Sequence, residues 1–336
     1  MRWLLRLLLL ALLAGGGAAG AAWWWLQQPL PLARPTVEVS VEPGMTPRRV
    51  ADLWVEAGVQ VEPRWLFEWF RWSGNARQIR AGSYGIEAGI TPRGLLDKMV
   101  RGDELMESVR LAEGSTFAQM REALARAPTL KPATRELSDA QLMAALGEPN
   151  TAPEGRFFPD TYAYSRGVSD LTVLKRAYAA MQLRLVSSWA ERAQDVPLKS
   201  MDEALILASI VEKETGRDAD RAMVAAVFAN RLRLGMPLQT DPTVIYGLGN
   251  TFDGNLRKRD LLADTPYNTY TRPGLPPTPI ALPSAASLRA AVQPAKTKAL
   301  YFVARSDGSG GSVFSETLAD HNRAVNQFQR VGKAAP

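Results

Sequence analysis

The stretch Leu198–Gly216 reads LKSMDEALILASIVEKETG. Ser200 followed by Glu203 has the spacing of a capping box, and Gly216 is a candidate C-cap, so the spacing predicts a helix over 201–215. From Ala204 to Val211 every residue is apolar or small, which predicts a helix buried on all sides. Two glutamates, Glu212 and Glu214, close it, split by Lys213. They are either a solvated helix end or an acid held in a pocket. Glu212 falls one turn after Ala208 and Ser209 on the buried face. Glu214 lies over Leu207, Ile210 and Val211, so periodicity alone does not choose between the two.

Downstream, Arg217–Leu234 predicts a second helix, apolar through AMVAAVFA and closed by Gly235; the two helices should pack as a buried hairpin. In MPLQTDPTVIYGLG, Asp241 and Pro242 suit an N-cap and first turn. A stiff loop with five prolines between Pro273 and Pro283 follows. The hairpin ALYFVARSDGSGGSVFS then leads to a last helix near Thr317, which carries the only histidine, His321.

Upstream, one pattern occurs three times: VEPGMTPRRVADL from Val41, IEAGITPRGLLDK from Ile86 and LAEGSTFAQMREA from Leu111. Each reads as a strand end, a turn, a threonine and an amphipathic helix. Thr46, Thr91 and Thr116 are N-cap candidates, with Pro47 and Pro92 at first helical positions. Val37, Val39 and Val41 alternate as in a half-buried strand. The order strand, helix, helix, strand is that of a small α+β module and resembles a LysM-type wall-binding fold. Trp65, Trp69 and Trp72 of EPRWLFEWFRWSG read as core packing, with sugar stacking as the alternative. The stretch 127–151 is polar and proline-punctuated, as in a boundary or hinge.

At the N-terminus, Leu7–Leu26 is an uncharged run of 20 residues. As a helix it covers roughly 30 Å, one bilayer core. Arg2 and Arg6 predict a cytoplasmic N-terminus, with Trp23–Trp25 at the far interface. A membrane anchor is expected in preference to a cleaved signal peptide, because the apolar run continues past the possible cut near Ala18–Ala22. The expected organisation is a cytoplasmic end at 1–6, a transmembrane helix at 7–26, a linker at 27–35, a LysM-like module at 36–105, a connecting strand and helix with hinge at 106–150, and an α+β catalytic domain at 151–336.

Composition excludes much chemistry. The 336 residues contain no cysteine and one histidine, with a net charge of +6 spread along the chain. Disulfides, thiol nucleophiles and ordinary metal sites are ruled out or disfavoured, and no basic stripe points to nucleic acid. No Gly-x-Ser-x-Gly elbow, P-loop or dinucleotide motif occurs. Carboxylate acid/base chemistry without a cofactor remains. A carboxyl desolvated in an apolar pocket is protonated near neutral pH and serves as a general acid.

LASIVEKETG, VFANRLRLGMPLQTDPTVIYGLG, YNTYTRPGLPPTPIALPSAASLRAAVQP and YFVARSDGSGGSVFSETLADHN, together with EGRFFPDTY at Glu154, closely resemble the endolytic murein transglycosylase family (YceG-like or MltG-type). Two departures are Asp320-His321-Asn322 where the family usually has Glu-His-Asn, and a long Gly/Ser-rich hairpin loop. The resemblance implies a bacterial inner-membrane enzyme facing the periplasm. It would cut peptidoglycan strands internally at the N-acetylmuramic acid–β-1,4–N-acetylglucosamine bond, leave 1,6-anhydro ends and so terminate nascent strands. Synthases of elongation or division are the partners it implies. It also implies Glu212 as the catalytic acid. Glu214, Asn230, Gln239, Asp241, Tyr267, Asn268 and Tyr270 are candidates for binding saccharide or supporting the acid. His321 reads as structural. The rival readings are a hydrolytic muramidase with Asp241 or Glu214 as second carboxylate, and a non-enzymatic wall-binding scaffold.

Overall fold

The structure, a computed structural model, describes residues 2–306, 308 and 310–330. Met1, two residues of the DGSGG turn and the last six residues of the expected catalytic region lie outside the described residues, as does the Arg2 side chain. The fold is mixed α+β, and the chain divides into two compact units: Met1–Glu107 with Ala163–Gly167, and Ser108–Tyr162 with Val168–Pro336.

The first unit starts with α1 (Arg2–Trp25), the one helix among the described residues long and apolar enough to cross a bilayer; its span Arg6–Trp25 has no fully buried residue among those described. Then come β1 (Thr36–Val41), α2 (Pro47–Ala57), α3 (Pro63–Trp72), β2 (Gly82–Glu87) and α4 (Pro92–Arg101). β1 and β2 pair antiparallel, Thr36 opposite Glu87 and Val41 opposite Gly82. Val37, Val39 and Val41 face inward, as alternation predicts. Thr46 and Thr91 each accept a hydrogen bond from the backbone three residues on, so α2 and α4 begin where the caps dictate. Trp54, Leu66, Phe70, Tyr84, Leu95 and Met99 form the centre of the core, and the Trp54 indole donates to Met99 Sδ at 3.3 Å.

The expected linker is not free of the module. Leu30 is buried and donates to Ile90 O at 2.7 Å, Ala33 donates to Gly58 O at 2.8 Å, and Gln60 donates to Pro31 O at 2.8 Å. Trp25 packs against the same core. The end of α1 is therefore stitched to the rest of the first unit.

Strands β3 (Met106–Arg110) and β4 (Thr161–Ser165) pair with each other. The second unit is mostly helical: α5 (Phe117–Arg126), α6 (Asp139–Ala145), α7 (Asp170–Ala190), α8 (Met201–Glu214), α9 (Asp218–Arg233), α10 (Asp241–Leu248), α11 (Lys258–Leu262) and α12 (Ala285–Val292). The hairpin β5 (Tyr301–Ala304) and β6 (Ser312–Ser315) and the helix α13 (Leu318–Val325) complete it. Helix α6 lies where the sequence reads as a polar boundary. Its Ser138–Gln141 capping box starts it, and Leu142 and Met143 are fully buried.

Helix α8 is the axis of this unit. Ala204–Val211 are all buried, and α7, α9 and α12 pack around it. Ser200 caps it by accepting from Glu203 N, while the Glu203 carboxylate accepts from Lys199 N rather than from Ser200. The helix ends at Glu214, one residue short of the expected 215, and its C-cap is Thr215 rather than Gly216. Thr215 is extended (φ −146°, ψ 128°), and its hydroxyl accepts from Arg217 N as the chain turns into α9.

Candidate active site

The two carboxylates at the end of α8 have different surroundings. Residues two apart on a helix point about 200° apart, so they face different neighbours. The Glu212 side chain is only 7% exposed. Its Oε2 accepts three hydrogen bonds, from Ser284 N (2.9 Å), Ser284 Oγ (2.5 Å) and Ser287 Oγ (2.7 Å). Arg221 Nη2 lies 3.7 Å from Oε1. Ser284 is the N-cap of α12, so Glu212 sits on the positive end of that helix. It joins α8 to α9 and α12, with three hydrogen bonds on Oε2 and an ion pair on Oε1.

Glu214 has one such partner. Its Oε1 accepts from the Thr240 hydroxyl. Burial pushes the pKa of its carboxyl above the usual 4.5; the Thr240 bond opposes the shift and the negative charge of Asp241 adds to it. The residue nonetheless keeps partial exposure.

The segment before α10 builds the wall behind Glu214. Gln239 sits at φ +51°, a left-handed conformation uncommon for a side chain of its size. Its amide donates to Thr269 O at 3.0 Å, and its side-chain Oε1 accepts from Arg231 at 3.3 Å. Arg231 also donates to Leu238 O (2.9 Å) and Leu300 O (2.8 Å), so it holds this turn rigidly. The next residue, Thr240, is buried; its amide donates to Thr269 Oγ1 (3.1 Å), and Thr243 Oγ1 meets Thr269 Oγ1 at 2.9 Å. This hydroxyl lattice aims Thr240 at Glu214. Thr240 is also the N-cap position of α10, so Asp241 is its first residue rather than its cap. Asp241 Oδ1 accepts from Tyr270 at 2.6 Å. Burial first, then that carboxylate and Glu214, raise the Tyr270 pKa, so the phenol is a neutral donor.

Glu214, Thr240, Asp241 and Tyr270 therefore form one constellation, with Gln239 at its edge. Asn268, expected at a saccharide subsite, is fully buried. Its Nδ2 donates to Ala263 O (2.6 Å), Leu261 O (3.1 Å) and Asp260 O (3.2 Å), and its Oδ1 accepts from Tyr270 N (2.9 Å). Every polar atom is used inside the loop, so it is a staple with no face for sugar. Asn230 likewise holds the chain before β5, donating to Thr297 O and Ala299 O, both at 2.9 Å. Its Oδ1 accepts from Arg233 at 2.7 Å. Tyr267 packs edge-on against Tyr246 (4.9 Å between centroids) and pairs with Thr278 Oγ1 at 2.8 Å. His321 stacks on Tyr301 at 5.3 Å, and burial and the nearby Arg231 lower its pKa.

Sequence reasoning missed Thr240, Ser284, Ser287 and Arg221, whose roles depend on contacts with no local signal. It also missed Glu154. That carboxylate is buried, accepts from Phe117 N at 2.9 Å and from the Tyr246 hydroxyl at 3.1 Å, and burial pushes its pKa to about 7.

At the end of α8, then, a desolvated carboxyl stands with a phenol and a second carboxylate beside it, an arrangement chemically able to transfer a proton. The chain belongs to the YceG-like family, whose pattern matches residues 39–327. It is 31% identical over 316 residues to the endolytic murein transglycosylase of Bacillus subtilis, covering 88% of this chain and 86% of that one. The endolytic murein transglycosylase of Streptococcus pneumoniae strain D39 is 28% identical, but the chain spans only 58% of its length. The crystal structure of a YceG-like protein from Listeria monocytogenes superposes with a TM-score of 0.56 at 28% identity, covering 87% of this chain and 99% of that one.

Proposed function

We propose that this protein is an endolytic murein transglycosylase, with Glu214 rather than Glu212 as its proton carrier. The observation that carries the assignment is the contrast between the two carboxyls: Glu212 Oε2 accepts three hydrogen bonds beside Arg221, whereas Glu214 is desolvated and accepts the single side-chain bond from Thr240. The protonated Glu214 gives its proton to the glycosidic oxygen as the bond between N-acetylmuramic acid and N-acetylglucosamine breaks. The resulting carboxylate takes a proton from the C6 hydroxyl of the same muramic residue, which closes on C1 to give the 1,6-anhydro end. The nucleophile is intramolecular, so its effective concentration is high, and one carboxyl serves both steps where hydrolases commonly need two. Tyr270, held by Asp241, and the Gln239 turn border this centre and are the proposed saccharide contacts.

The span in α1 supports a single-pass anchor with a cytoplasmic N-terminus and a periplasmic catalytic unit. The module at 36–105 is then a LysM-like spacer or glycan contact. Synthases of elongation or division are the partners such an anchored cutter would meet.

Mass spectrometry of digested glycan strands tests the reaction. Wild-type protein should release anhydro ends, whereas a muramidase product would be one water heavier and a scaffold would release none. Glu214→Gln should lower cleavage by about 10² to 10⁴ while leaving the melting temperature unchanged. Full activity in that variant would overturn the assignment.

A further inference from the structure

Helix α3 has two apolar faces. Leu66 and Phe70 enter the core of the first unit. Trp65, Trp69 and Trp72, spaced four and three residues apart, lie on another side of the helix. Trp65 is 62% exposed and Trp72 is 77% exposed. An indole buries 150–250 Å² when covered, so two open tryptophans on one helix mark a contact surface.

The far wall of this surface is known. Trp65, Trp69 and Trp72 line a groove whose other side is Ala18, Ala22 and Trp25 of α1. Because Trp25, Leu30 and Ala33 are tied to the same unit, the groove is a fixed feature of it. Positions 18–25 are the last two turns of the apolar span. If α1 crosses a bilayer, they lie at its outer interface, and whatever surrounds them also surrounds the tryptophans opposite.

The chemistry of the groove favours lipid over sugar. Its one acidic side chain, Glu68, is already held by Arg71 at 2.7 Å and by the Trp72 indole at 3.1 Å. The Trp69 indole is spent on Pro92 O at 3.0 Å. Few polar groups are left to bind saccharide hydroxyls. Arg64 flanks the stripe in an exposed position, suited to a lipid phosphate.

We propose that the Trp65–Trp69–Trp72 face of α3 rests in the outer-leaflet interface of the bilayer that α1 spans, so that the module lies on the membrane surface. This rests on the anchor reading. Because the chain has no cysteine, single labels need no background removal. A fluorophore is placed in the full-length protein at Leu13→Cys, Glu68→Cys, Trp72→Cys or Glu42→Cys, and each is reconstituted in phosphatidylcholine–phosphatidylglycerol vesicles with doxyl-labelled lipid. Glu68→Cys keeps all three tryptophans, and Glu42, exposed at the end of β1 away from the linker, is the aqueous reference. Quenching at 68 and 72 should be several-fold greater than at 42, together with quenching at 13. Quenching at 13 alone would keep the anchor and overturn the seating. No quenching at 13 would overturn the anchor itself, and the seating with it. A response at 68 and 72 to soluble glycan fragments but not to doxyl lipid would make the groove a saccharide site and also overturn the seating.

Discussion

The Thr240 hydroxyl donates to Glu214 Oε1 across a sequence separation of 26 residues, and it is the hydrogen bond from a neighbouring side chain that lowers the Glu214 pKa against the effect of burial. Removing it should raise that pKa further. Thr240→Val is expected to move the alkaline limb of the kcat/KM–pH profile to higher pH, because the protonated acid then persists longer. Asp241→Asn removes a charge that raises the same pKa and should move the limb down. Profiles measured on glycan strands check both signs, and two shifts in the same direction would contradict this arrangement.

Glu212 should matter to stability before chemistry. Glu212→Ala removes the acceptor of Ser284 and Ser287 and takes from Arg221 the more buried of its two carboxylates. A loss of about 3 kcal/mol is expected. Ser287→Ala should cost about 1 kcal/mol. Denaturant unfolding of the two single variants and the double variant should give non-additive values, since all act on one carboxylate.

Glu154 gives the fold its own pH dependence. Its pKa rises from 4.5 to about 7 on folding, so between these values the folded state holds the proton more firmly than the unfolded chain. Its contribution to stability is complete below pH 4.5 and is lost as pH rises through about 7. The total is about 3 kcal/mol, taking 1.36 kcal/mol per pKa unit. Glu154→Gln mimics the protonated form, and melting curves from pH 4 to 8 should be flatter for it than for the parent.

Asn268→Ala should lower stability by about 1–3 kcal/mol, since the hydrogen bonds to three carbonyls and from Tyr270 N all depend on its amide. A raised KM for glycan with unchanged melting would instead make it a sugar contact.

Much of the architecture was legible because its signals are local. The all-apolar run of α8, the threonine N-caps and the alternating valines follow from neighbours in sequence. The choice between Glu212 and Glu214 was not, since a helix buried on every side has no apolar face to set one carboxylate apart. What separates them is Ser284, 72 residues after Glu212, and Thr240, 26 residues after Glu214. The roles of Asn230 and Asn268 were not legible for a related reason: a sequence shows that an amide is present but not that it donates to backbone carbonyls. Glu154 gave no warning, because its partner Phe117 lies 37 residues earlier.

The Glu212–Ser284 clamp has a consequence for what this stretch tolerates. One glutamate pins the rotation of α8 about its axis, and the other, two residues on, inherits its direction from that pin. A one-residue insertion or deletion between Ser209 and Glu212 would turn both by about 100° relative to the buried segment. Glu212 would leave Ser284, and Glu214 would leave Thr240. The stretch can change its letters but not its length, so the doubled glutamate works as a ruler as much as a reagent.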